Sequence, residues 1–206
     1  MSLRSVRSHQ LGVVALETRA VPSATSLPTV QTVIVGDGAA QRSTVTQLKV
    51  VFDQDVKLLD NVATAFQLFR NDDHENVTLD LSTDKPNSFR IATLTFFGNS
   101  TNGRSLADGR YTLVIRAASI TSTNGPFDGN GDGIGQDDFK MIGDPATNKL
   151  YRLFGDVDGD GTVSTADFVR LRQSFNGFDP VFDFDGDGFV SVRDFVQFRI
   201  RFNGSV

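Results

Sequence analysis

Apolar and polar residues alternate over the first two thirds of the chain in short runs with strand character. These are Thr29–Val35, Val45–Phe52, Ala65–Phe69, Val77–Leu81, Phe89–Phe97 and Arg110–Ile120, each rich in Val, Ile, Thr, Leu or Phe. Turn signals separate them: Asp37-Gly38, Asn71-Asp72-Asp73, the 84–87 stretch around Pro86, Asn102-Gly103, Asp108-Gly109 and Asn124-Gly125. Half-buried strands need this period of two, and Gly, Asn, Asp and Pro supply the backbone geometry of the turns. The spacing predicts an antiparallel β-sandwich over residues 28–142. Residues 1–27 are small, polar and weakly periodic, with prolines at 22 and 28 closing the stretch. They are expected to be a flexible leader or linker.

The period changes toward the end of the chain. Phe168, Val169, Leu171 and Phe175 form a helical stripe, and Phe195, Val196, Phe198 and Phe202 form another. Asn176-Gly177 and Asn203-Gly204 follow as C-terminal stops. Residues 143–206 are therefore read as a second, small α module. The fold class expected is mainly β with this module appended.

The two helical stretches belong to a repeat. Residues 156–177 and 183–204 are offset by 27 residues and agree at 14 of 22 positions. Each copy opens with a twelve-residue acidic loop. In the first, Asp156, Asp158 and Asp160 stand at positions 1, 3 and 5, and Asp167 at position 12. In the second, Asp183, Asp185, Asp187 and Asp194 take those places. Alternate carboxylates, a glycine for the sharp turn at position 6 (Gly161, Gly188) and a closing carboxylate wrap a hard cation in oxygen. Thr162 and Phe189 at position 7 need offer only their carbonyls, which explains how such different side chains serve. Ser164 and Ser191 at position 9 can act directly or through water. Val163 and Val190 are expected to pair across a short ribbon coupling the loops. Four carboxylates so close would repel one another without a cation. Two Ca2+ sites are therefore expected.

A third candidate loop precedes them. Asp128, Asn130 and Asp132 fit positions 1, 3 and 5, and Gly133 fits position 6. Position 12 is Phe139, so the closing carboxylate must be Asp138 or Asp137, and Asp138 is assigned here.

The net charge of −5 is concentrated in these loops: residues 156–194 hold nine Asp against three Arg. The sign is wrong for phosphate, which argues against a nucleic-acid partner. No run of about 18 apolar residues exists, so no membrane span is expected. The absence of Cys removes disulfides and thiolate metal sites. With His only at 9 and 74 and Glu only at 17 and 75, acid–base catalysis has little material. Absent Trp, and Tyr only at 111 and 151, weigh against an aromatic carbohydrate platform. The two Met, at 1 and 141, weigh against a Met-rich calcium-sensor groove.

Two resemblances add to this. The stretch Leu106–Ile115, with Asp108-Gly109 ahead of Tyr111, looks like the tyrosine corner of an immunoglobulin-like sandwich, in which the phenol bonds back to nearby backbone. Ordinary EF-hands place a helix before each loop, but here Tyr151–Gly155 is short and Phe178–Phe182 is broken by Pro180. Duplicated loop-then-helix motifs closed by Asp resemble a dockerin type I domain over residues 151–206. That resemblance implies calcium sites and anchoring to a cohesin-like or other cell-envelope partner. It departs from cellulosomal dockerins at loop positions 10 and 11, where Thr165-Ala166 and Val192-Arg193 present unlike faces. The combination looks like the end of large bacterial secreted or surface proteins, and Leu16–Pro22 looks like a leader motif of such proteins. The function expected is a non-enzymatic extracellular or cell-surface calcium-binding module, with adhesion or docking as its role. The alternative is an accessory fragment of a secreted polysaccharide-degrading enzyme.

Overall fold

Inward-facing Val, Leu and Phe at every second residue make the strands of the first region. The computed structural model describes residues 26–98, 101–102 and 104–206. Residues 1–25 of the expected leader (1–27), with its Leu16–Pro22 motif, lie outside the described residues, as do residues 99, 100 and Gly103. Strands β1 (Val30–Val35), β2 (Gln47–Leu58), β3 (Phe66–Arg70), β4 (Asn76–Thr83), β5 (Phe89–Phe97) and β8 (Gly109–Ile115) overlap the predicted runs, with β2 running on past Phe52; the two-residue strands β6 (Thr101–Asn102) and β7 (Ser105–Leu106) lie outside them. A single helical turn, α1 (Val62–Ala65), capped by Asn61, leads into β3. The fold is mainly β and its strand pairings are antiparallel.

One predicted strand is divided. The run Arg110–Ile120 breaks after Ile115 into a 3-10 turn (Ala117–Ser119) and β9 (Ile120–Ser122). The chain changes partners there: β8 pairs with β3, whereas β9 pairs with the end of β2. The short strand β10 (Gly125–Pro126) then pairs with β9. A similar handover occurs on β4, whose first residues pair with β3 and whose remainder pairs with β5. Leu48, Val50 and Phe52 of β2, Ala92 and Leu94 of β5, Leu68 of β3, and Leu113 and Ile115 of β8 therefore share one core. Tyr111 is fully buried and its phenol donates to the Ala107 carbonyl at 2.7 Å, the local bond its sequence predicts.

Two further strands outside the predicted runs, β11 (Phe139–Ile142) and β12 (Tyr151–Arg152), both pair with β8. Leu150 belongs to the first core and Tyr151 opens the second, so the changeover falls later than the expected boundary after residue 142. The second core gathers Tyr151, Leu153, Phe154, Val163, Leu171, Phe182, Val190 and Phe198. Helices α2 (Thr165–Ser174) and α3 (Val192–Arg201) supply Leu171 and Phe198 to it.

The two cores are joined by charge. Asp108, in the turn before β8, accepts from Arg152 Nη1 at 2.6 Å and from the Phe154 amide at 2.8 Å. Its second oxygen pairs with Arg201 of α3. Both guanidinium groups also lie against Phe154 and Phe184, 5.1–5.9 Å from the ring centroids. Arg201, in the last turn of α3, is thus drawn into this joint and is only partly exposed. Burial pushes the Arg152 guanidinium below its usual range, with Asp108 opposing.

Candidate metal centre

Each acidic loop is shaped by its own backbone amides. Asp156 is fully buried. Its Oδ1 accepts from the Gly159 amide at 2.7 Å, and its Oδ2 from the Gly161 amide at 3.1 Å and the Tyr151 phenol at 2.7 Å. Asp167 accepts from the Val157 amide (2.9 Å) and the Ser164 amide (2.7 Å). Ser164 in turn caps α2, so one capping box both starts the helix and orients the closing carboxylate. One carboxylate oxygen each from Asp156, Asp158 and Asp167 lies within 4.8 Å of the others. Asp160 turns back onto Thr162, accepting from its amide at 2.8 Å and its hydroxyl at 2.7 Å.

The second loop repeats this. Asp183 accepts from the Gly186 (2.8 Å) and Gly188 (2.9 Å) amides, and Asp194 from Phe184 (2.7 Å) and Ser191 (2.7 Å). Asp183, Asp185 and Asp194 gather within the same 4.8 Å. Asp187 accepts from the Phe189 amide at 2.9 Å, and Ser191 caps α3. The donor sets are oxygen only, which suits a hard divalent cation rather than a soft one.

The loops are coupled, but not as expected. Val163 and Val190 do not bond to each other. The Val163 amide donates to Gly204 O (2.9 Å) and the Asn203 amide to Val163 O (2.7 Å). The Val190 amide donates to Gly177 O (2.9 Å) and the Asn176 amide to Val190 O (2.8 Å). Each loop is thus clamped by the Asn-Gly that ends the other copy's helix. Asn176 and Asn203 adopt left-handed backbone (φ 63° and 62°), which reverses the chain for this pairing.

The third loop holds its first half as predicted. Asp128 is buried and accepts from Gly131 (2.7 Å) and Gly133 (2.8 Å); Asn130 accepts from the Asp132 amide (2.9 Å). The closing residue differs. Asp138 turns away to pair with Arg116 at 2.6 Å and to accept from the Ala117 amide at 2.8 Å. Asp137 instead joins Asp128 and Asp132 within 4.8 Å. Adjacent residues project to opposite sides of an extended chain, so only one of the two can face the loop.

The copies differ in their surroundings. Gly159 and Gly161 of the first loop press on the β-rich region: a Cβ at Gly159 would sit 1.9 Å from Ala40 O, and one at Gly161 2.9 Å from Pro145. Their counterparts Gly186 and Gly188 face open space. The Arg42 amide donates to Asp156 O at 2.8 Å, and Lys149 Nζ donates to Gly159 O at 2.8 Å. Ser43 accepts from the Gly155 amide (2.9 Å) and donates to Val181 O (2.5 Å). Burial pushes the Asp156 carboxyl up, opposed by the bonds from Tyr151 and the loop amides; burial and the Asp156 charge push the Tyr151 phenol up. Sequence reasoning missed Tyr151, Arg42, Ser43 and Asp108. Only Tyr151 left a signal: its repeat partner is Phe178, which has no hydroxyl.

Between the helices, Phe168, Phe195, Phe198, Phe202 and Arg199 line an open apolar cleft of about 230 Å³. Val169, Val196 and Ile200 are exposed along the same helices.

No curated protein matches the chain. Among solved structures, the S-layer protein rSbsC(31-844) is similar at 17% identity and a TM-score of 0.37, covering 58% of this chain and 14% of that one. The N-terminal part of the bacterial S-layer protein SbsC is similar at 18% identity and a TM-score of 0.36, covering 57% and 24%. The chain therefore spans less than a quarter of the length of these surface proteins. The family model of the dockerin type I domain matches residues 154–203, the segment that holds both capped loops and their helices. The chain thus carries a dockerin type I domain at residues 154–203, preceded by a β-rich region.

Proposed function

We propose that the chain is a non-enzymatic, extracellular calcium-binding module in which an immunoglobulin-like sandwich serves as spacer and the dockerin domain docks to a cohesin-like or other cell-envelope protein. The observation that carries this is the same carboxylate triad at the same loop positions in both copies: Asp156, Asp158 and Asp167, and Asp183, Asp185 and Asp194. Calcium offsets most of the charge of each triad and engages the same Asp that caps the helix, so metal binding and helix formation are coupled. The third loop, through Asp128, Asp132 and Asp137, is the weaker candidate because position 12 is taken by Phe139. The Tyr111–Ala107 bond supports the immunoglobulin-like assignment. A spacer role agrees with the surroundings of His74, which is exposed in a polar turn.

The docking face is the apolar cleft between α2 and α3 with its exposed Val and Ile rim. Arg172 and Arg199, at matching repeat positions and both exposed, suit an acidic, partly apolar partner surface. The test is retention on a cell-envelope fraction with and without chelator. Arg172→Glu together with Arg199→Glu should reduce retention, most steeply at low salt, while helicity with calcium is unchanged. Retention that is indifferent to both chelator and charge reversal refutes docking.

A further inference from the structure

We infer that the first loop, unlike the second, is a lock between the β-rich region and the dockerin domain, that Tyr151 is its positioning residue, and that the two loops therefore load calcium in order. The inference rests on the calcium reading proposed above. The repeat makes the loops alike, and the β-rich region makes them unlike. Asp156 is fixed from outside its own loop by the Tyr151 phenol at 2.7 Å, and Tyr151 stands in β12, hydrogen-bonded to β8. The corresponding residue of the second copy, Phe178, offers no donor and is exposed. The backbone of Asp156 is held by Arg42, whose guanidinium is itself spent on the carbonyls of Ala39 (2.7 Å), Gln41 (2.6 Å) and Lys149 (2.9 Å). Gly159 lies flush against Ala40, where no side chain fits. The second loop has no such frame at Gly186 or Gly188. A ligand held in its binding orientation before the ion arrives loses less freedom on binding, so the first loop binds more tightly. By the same linkage, its ion tightens residues 39–43 against the loop.

Hydrogen exchange of the full chain, followed by segment across a calcium titration, tests this. In the parent, protection of residues 39–43 should rise together with that of the first loop, at lower calcium than protection of the second loop. Tyr151→Phe keeps the ring and should move the midpoints of the first loop and of residues 39–43 to about tenfold higher calcium. The second loop's midpoint should stay in place, and circular dichroism at saturating calcium reports that the variant is folded. Coincident midpoints for the two loops in the parent, or residues 39–43 indifferent to calcium while the loops respond, overturn the inference and leave the calcium reading standing. No response in either loop overturns both.

Discussion

Replacing Asp108 by Ala probes how the two cores are held together. One carboxylate accepts from Arg152, from the Phe154 amide and from Arg201. The Arg152 side chain is 2% exposed and that of Asp108 29%, so the variant strands a buried guanidinium while water can reach only part of the gap. Removing one partner of a buried pair typically costs about 3–5 kcal/mol. Partial access of water at Asp108, and the bond that Arg152 Nε keeps to Ser43 O at 2.8 Å, place the expectation at the lower end, about 3 kcal/mol. Asp108→Asn keeps one acceptor and loses the charge; it should cost about 1.5 kcal/mol. Arg201→Met removes the more exposed donor and should cost about 1 kcal/mol. Urea denaturation at saturating calcium measures all three. If the cores separate, the Asp108→Ala transition should also broaden or divide, because the tail loses its tie to β8. A shift of Asp108→Ala within about 0.5 kcal/mol of the parent would refute the claim that this carboxylate joins the cores.

Gly159→Ala and Gly186→Ala share a positive φ (72° and 73°), so the backbone cost of about 1 kcal/mol cancels between them. Gly159→Ala must also displace Ala40 O and should be less stable than Gly186→Ala by about 1–3 kcal/mol by denaturation; equal losses would show that the first loop does not press on the β-rich region. Chelation should remove the helical circular dichroism of α2 and α3 and spare the β signal, since the second core is small and metal binding contributes folding free energy. Helicity unchanged by chelator would mean that packing alone sustains those helices. Tyr111→Phe should lower stability by about 1 kcal/mol in thermal or urea unfolding, through loss of the bond to Ala107 O; stability equal to the parent's would leave that bond without weight.

Local spacing carried most of what the sequence could say. The alternating Val, Leu and Phe runs marked β1 to β5 and most of β8. Asp at positions 1, 3, 5 and 12 with Gly at 6 marked both acidic loops, and the apolar stripes from Phe168 and from Phe195 marked the helices that follow them. The Tyr111 phenol reaches back only four positions along the chain. Such features are legible because their partners lie within one turn of backbone, where stereochemistry decides the outcome. The tertiary structure decided the rest. It turned Asp138 onto Arg116 and left Asp137 to face the third loop. It paired Val163 with Asn203-Gly204 and Val190 with Asn176-Gly177, not with each other. It drew Arg201 to Asp108, 93 residues away, and set Ser43 against Val181, 138 residues away. Those contacts exist because two cores meet where β12 pairs with β8, and no periodicity within either segment encodes which side chains meet there.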